Sequence, residues 1–136
     1  MEPLPTVFTQ VFFRGAAPMV GWPEQFAIVT AYNPDGVSEE PAVNASADAR
    51  LRATIETMGL QYFRLTGGSR DGAHQEPGWG FSLATPRSAR DLSLSFRQLA
   101  FFWIESDRIS LVDSRNGDST DLGRWQDRWL GPELSP

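Results

Sequence analysis

The sequence predicts an α+β fold, a ferredoxin-like split βαβ sandwich in which two helices cover one face of a mainly antiparallel sheet. Three observations carry this expectation. From Phe26 onward the elements read strand, helix, strand, strand, helix, strand and then one more strand, which is the split βαβ order. Residues 26–32 are apolar on both alternating faces, as suits a strand in a sheet interior or under a covering layer. Two segments repeat apolar residues at helical spacing, and helices gathered on one side of such a sheet complete an α+β architecture.

Taken in order, residues 7–13 are β-branched and aromatic and read as an added N-terminal strand. A loose stretch with Gly15, Pro18, Gly21 and Pro23 precedes the strand at 26–32. Asn33-Pro34-Asp35-Gly36 is a turn, because proline presets φ and Asx side chains bond their own backbone. Asn44 or Ser46 can cap a helix that presents Leu51, Ile55 and Met58 inward and stops at Gly59. Residues 62–66 form a short strand, followed by a glycine-rich connection over 67–78 that holds the lone histidine, His74. In the strand at 78–84, Trp79, Phe81 and Leu83 oppose Gly78, Gly80 and Ser82, a small-residue face that admits close approach.

Thr85-Pro86 begins a helix with Ala89, Leu92 and Phe96 inward, running out near Gln98. Residues 99–104 and 109–113 read as a hairpin turned at Ser106-Asp107-Arg108. A last helix over the tail is expected from Leu122, Trp125 and Trp129, ending at Gly131-Pro132. Its tryptophans suit docking on their own domain. The 136 residues fit one domain, with a core at 26–113, the added strand at 7–13 and a tail at 117–136.

Composition narrows the chemistry. The chain has no cysteine, so disulfides and thiolate metal sites are excluded. All 12 of its cations are arginine, which removes Schiff-base lysines and the lysine of a P-loop. A net charge of −5 argues against non-specific binding to nucleic acid or anionic membranes. No run reaches the roughly 20 apolar residues of a membrane span, and the first five residues lack signal-peptide character, so a cytoplasmic protein is expected.

With one histidine, a zinc site of the usual kind is excluded, and Asp113, Asn116, Asp118 and Asp121 miss the spacing of a calcium loop. Neither a metal nor a cofactor is expected. Gly68-Ser69-Arg70-Asp71-Gly72 does not match a nucleophile elbow and reads as a loop. Right-handed crossovers place the strand at 78–84 antiparallel between those at 26–32 and 62–66. The ends at Asn33, Asn44, the 67–78 loop and Gln98 then converge on one rim.

The segment Phe26-Ala27-Ile28-Val29-Thr30-Ala31-Tyr32-Asn33-Pro34, then Asn44, then Glu76 with Trp79 and Phe81, then Gln98-Leu99-Ala100-Phe101-Phe102, resembles the bacterial domain-of-unknown-function 3293 family. The resemblance spans most of the chain to Asp113 and implies no activity. It does imply that Asn33, Asn44, Glu76 and Gln98 are the polar positions to watch.

The expectation is therefore a non-enzymatic module that recognises a small ligand or a protein partner at the rim of Asn33, Asn44, Glu76 and Gln98. The alternative is a small hydrolase or lyase with Glu76 as general base and His74 as its partner, since a carboxylate beside an imidazole can move protons near neutral pH. Association as a homodimer through the Gly78, Gly80 and Ser82 face, or through the hairpin edge, is a third reading.

Overall fold

A computed structural model describes residues 2–82 and 85–132. Strand β2 (Gln25–Val29) lies near the middle of the sheet, with Phe26 and Ile28 on one face and Ala27 and Val29 on the other, all four buried. It pairs antiparallel with β4 (Gln75–Ser82) and with β5 (Ala100–Glu105). Outward from β4 come β3 (Tyr62–Gly68) and the short β1 (Phe12–Arg14), and outward from β5 come β6 (Arg108–Asp113) and β7 (Ser119–Arg124). All pairs are antiparallel, in the order β1-β3-β4-β2-β5-β6-β7.

This corrects the expected fold class. The described residues build one seven-stranded antiparallel sheet curled into a half-barrel with three helices, and not a ferredoxin-like two-helix sandwich on a small sheet. The insertion of β4 antiparallel between β2 and β3 is present within it. The physical reason for the difference is two-sided burial. Helices α1 (Pro41–Thr57) and α2 (Pro86–Ser95) cover one face, where Leu51, Ile55, Ala89 and Leu92 meet Ala27, Val29, Phe81 and Phe101. The other face carries Phe26, Ile28, Leu65 and Ile104, and a second cover of aromatics closes over it.

That second cover comes from segments outside the expected core. The indole of Trp125, which starts the one-turn α3 (Trp125–Arg128), is 2% exposed and meets the rings of Trp22, Phe13 and Phe26 at 5.1, 5.4 and 5.4 Å. The two tryptophans are docked on their own domain, but the expected terminal helix is mostly absent: Leu122 lies in β7, and Trp129 has extended backbone. Residues 119–124 hold one apolar side chain other than glycine and form an exposed edge strand, a pattern without strong periodicity. Beyond α3 the chain returns to β1, where the Leu130 N–H donates to the Phe13 carbonyl at 2.8 Å and the Trp129 indole donates to the Gly15 carbonyl at 2.9 Å. One edge of the sheet is thereby covered.

Other differences are local. The expected strand at 7–13 is a 3₁₀ turn over Thr6–Gln10 followed by β1, because the Thr9 hydroxyl bonds the Thr6 carbonyl at 2.7 Å and competes with extended pairing. Helix α1 starts at Pro41, a proline suited to a first helical position, so neither Asn44 nor Ser46 is its cap. Met58 is 44% exposed, and Ala47 takes its place in the core. Strand β4 begins at Gln75, so Glu76 stands on a strand and the connecting loop shortens to 69–74. Leu83 and Ala84, assigned to the end of that strand, lie outside the described residues.

At Gly80 the small-residue face of β4 is occupied from within: a Cβ there would sit 2.3 Å from the Phe63 ring. Likewise the outer edge of the β5–β6 hairpin is paired with β7. Ser106 and Asp107 both take positive φ, 51° and 61°, giving that hairpin a tight two-residue turn.

Removing an aromatic from the second cover tests the two-sided core. Trp125→Ala is expected to lower stability by about 3–5 kcal/mol, as for large aromatics deleted from packed cores. Met58→Ala is expected to stay within about 0.5 kcal/mol. Urea denaturation followed by circular dichroism reads both, and equal effects would contradict the second core.

Candidate functional site

Where β2 ends, the backbone turns through residues that rarely adopt such angles. Asn33 has φ 49° and Asp35 has φ 59°, while Arg97, just past α2, has φ 57°. Three of the five non-glycine positive-φ residues among those described therefore meet at one end of the sheet, held by mutual bonds. Asn44 accepts from the Asn33 N–H at 2.9 Å, and its Nδ2 donates to Asn33 Oδ1 at 2.9 Å. Asp35 N–H donates to the Arg97 carbonyl at 2.7 Å, and the two side chains form an ion pair. Gln98, 8% exposed, donates through Nε2 to the Tyr32 and Phe96 carbonyls at 3.1 and 3.2 Å.

Beside this rim lies a cavity of about 530 Å³ on the sheet face opposite α1 and α2. Ile28, Thr30, Gly78, Ala100 and Phe102 line it from the sheet, and Pro5, Val7, Phe8 and Val11 line it from the N-terminal segment. Arg128 fixes that segment, donating to the Thr9, Val11 and Leu122 carbonyls at 2.9–3.0 Å. The Phe12 ring sits between Arg70 and Arg128, whose guanidinium carbons lie 5.2 and 5.5 Å from its centre.

Asn33, His74, Glu76 and Gln98 all line this cavity. Asn44 does not; it stands behind Asn33 and ties the turn to the start of α1. The amide pair is therefore spent largely on architecture. Gln98 differs, since its Oε1 has no hydrogen-bond partner among the described residues.

Glu76 is opposite Gly67 on β4 and half-buried. Burial pushes its carboxyl above the ordinary glutamate value, and the His74 charge and the Thr30 hydroxyl pull it only partly back. Among the described residues no hydrogen bond joins the His74 and Glu76 side chains, and His74 is exposed. Ser69 is bound into the β3–β4 turn, its hydroxyl donating to Asp71 at 2.7 Å and accepting from the His74 N–H at 3.1 Å. Asp113 is likewise engaged, by the Arg115 guanidinium at 2.8–3.0 Å, which holds its carboxyl below the ordinary value.

Thr30, Arg70 and the N-terminal wall were not singled out from sequence. Thr30 was legible in principle, two residues beyond Ile28 on one strand line and so on the same face. The wall at 5–11 was not, because only contacts distant in sequence bring it over the sheet.

The raised carboxyl gives a signed expectation. The folded state holds the Glu76 proton more tightly than the unfolded chain, so its contribution is fully present below the ordinary glutamate pKa and is lost as pH rises through the raised one. Glu76→Gln is expected to raise the urea midpoint at pH 7.5, with the difference from wild type shrinking toward pH 3.5. A variant no more stable than wild type at pH 7.5 would contradict a desolvated carboxylate.

A family model described as "Protein of unknown function (DUF3293)" matches residues 29–101, from the end of β2 to the start of β5, and so takes in Asn33, Asn44, His74, Glu76 and Gln98. No curated protein and no solved structure matches the chain. The match covers more than half of the sequence, and the chain belongs to the DUF3293 family.

Proposed function

We propose that this protein is a non-enzymatic module that binds a small molecule in the cavity between its N-terminal segment and the sheet. The observation that carries the reading is a cavity of about 530 Å³ with mainly apolar walls and a smaller set of polar groups among them. That volume and that lining are typical of sites for small organic ligands. The polar groups favour recognition over bond breaking. Asn33 and Gln98 are amides that do not titrate, and Ser69 is held in a turn with Asp71.

A hydrolase or lyase is the second reading, favoured by one observation: Glu76 is a half-buried carboxyl with a raised pKa in a cavity, as general bases often are. It requires His74 and Glu76 to act together. Turnover of an activated ester or other model substrate that disappears in both His74→Ala and Glu76→Gln would favour it.

Binding is tested by two-dimensional amide NMR with a panel of small apolar and amphipathic molecules. The expected result is saturable shifts at Ile28, Gly78 and Phe102, weakened about 10-fold or more in Val11→Trp, which narrows the cavity from the N-terminal side. Shifts scattered over the surface, or none from any probe, would overturn the proposal.

A further inference from the structure

We propose that the ligand of this cavity is an organic ammonium ion, an apolar or aromatic body whose cationic head is received by Glu76 and Gln98 Oε1. The inference rests on the binding reading above and adds the charge of the ligand.

Glu76, Gln98 and Thr30, which all line the cavity, offer it more acceptors than donors. Glu76 forms no ion pair among the described residues, whereas Asp35, Asp48, Asp107, Asp113 and Asp121 each meet an arginine. Gln98 directs both of its Nε2 bonds to backbone carbonyls and keeps Oε1 unpartnered. Thr30 has one hydroxyl proton, which goes to the Pro77 carbonyl at 2.8 Å, while its oxygen accepts from the Tyr32 N–H at 3.1 Å. The Pro77 carbonyl and the Glu76 carboxylate compete for that one proton, which satisfies at most one of them. A half-buried carboxylate with no ion pair, beside an unpartnered amide oxygen, lacks what an ammonium group supplies, namely a positive charge and two or three N–H donors.

The walls agree. Phe8, Phe13 and Phe102 line the cavity, and the face of an aromatic ring attracts a cation. Arg70 and His74 also line it; both are exposed, and the His74 charge acts on Glu76 without an ion pair between the two among the described residues. An anionic head placed against Glu76 would meet a like charge in a partly dry site. The net charge of −5 adds weak attraction for cations at long range.

The test compares three molecules of nearly one shape, phenethylamine, phenethyl alcohol and 3-phenylpropionate, titrated by amide NMR at pH 7.5 into wild type and Glu76→Gln. The amine is expected to bind at the cavity-lining amides about 10-fold or more tightly than the alcohol, with the carboxylate weakest. Glu76→Gln is expected to erase the advantage of the amine over the alcohol; its fold is checked by its own amide spectrum. If the alcohol or the carboxylate binds these amides as tightly as the amine, or if Glu76→Gln leaves the amine's affinity intact, the ammonium assignment fails and the binding reading stands. If none of the three shifts a cavity-lining amide, both fail.

Discussion

Burial of β2 on both faces is the constraint from which the rest of the structure follows. Ala27 and Val29 need one apolar partner layer, and Phe26 and Ile28 need another on the opposite side. Fully burying a side chain such as Phe26, Ile28 or Val29 is worth about 1.5–3 kcal/mol relative to exposure, so a sheet with one bare face would forfeit much of a marginal stability. Helices α1 and α2 meet the first need. The second is met by a collection of segments from both ends of the chain, with Trp22, Trp125 and Trp129 packed over the strands.

The second cover is uneven, and its unevenness creates the cavity. Toward the Phe26 end of β2 the indoles of Trp22 and Trp125 pack on Phe26 at ring distances of 5.7 and 5.4 Å and on each other at 5.1 Å. Toward the Thr30 end, the side chains on the sheet become small or polar, with Gly67, Gly78 and Ala100 around Thr30 and Glu76. The N-terminal segment spans this part without filling it. A Cβ on Gly78 would come within 2.9 Å of the Val29 carbonyl, so glycine there is required by the close approach of β4 to β2. The bonded rim of Asn33, Asn44, Asp35 and Arg97 then keeps the open end from collapsing.

Much of this was legible in the sequence where contacts are local. Thr85 and Ser88 exchange bonds as a capping box at 2.9–3.0 Å, as expected of a threonine placed before proline. Gly59, with φ 73°, ends α1 after Met58, and the turn at Asn33-Pro34 is where Asx chemistry put it. The fold class was not legible, because residues 6–10 and 119–124 carry weak periodic signals and acquire their structure from distant partners such as Arg128 and β6. The site was half legible. Asn33, Glu76 and Gln98 line one cavity, but the wall facing them, and the structural use of Asn44 behind Asn33, depend on tertiary contacts.

The central claim is that the gap in the second cover is a built binding cavity and not an accident of packing. A high-resolution crystal structure of the protein isolated without denaturation tests it most directly. Compact density unaccounted for by the chain, lying between Phe8, Ile28 and Gln98, is the expected result. Phe8 and Val11 packed down on Ile28 and Phe102, with no space between them, would contradict it.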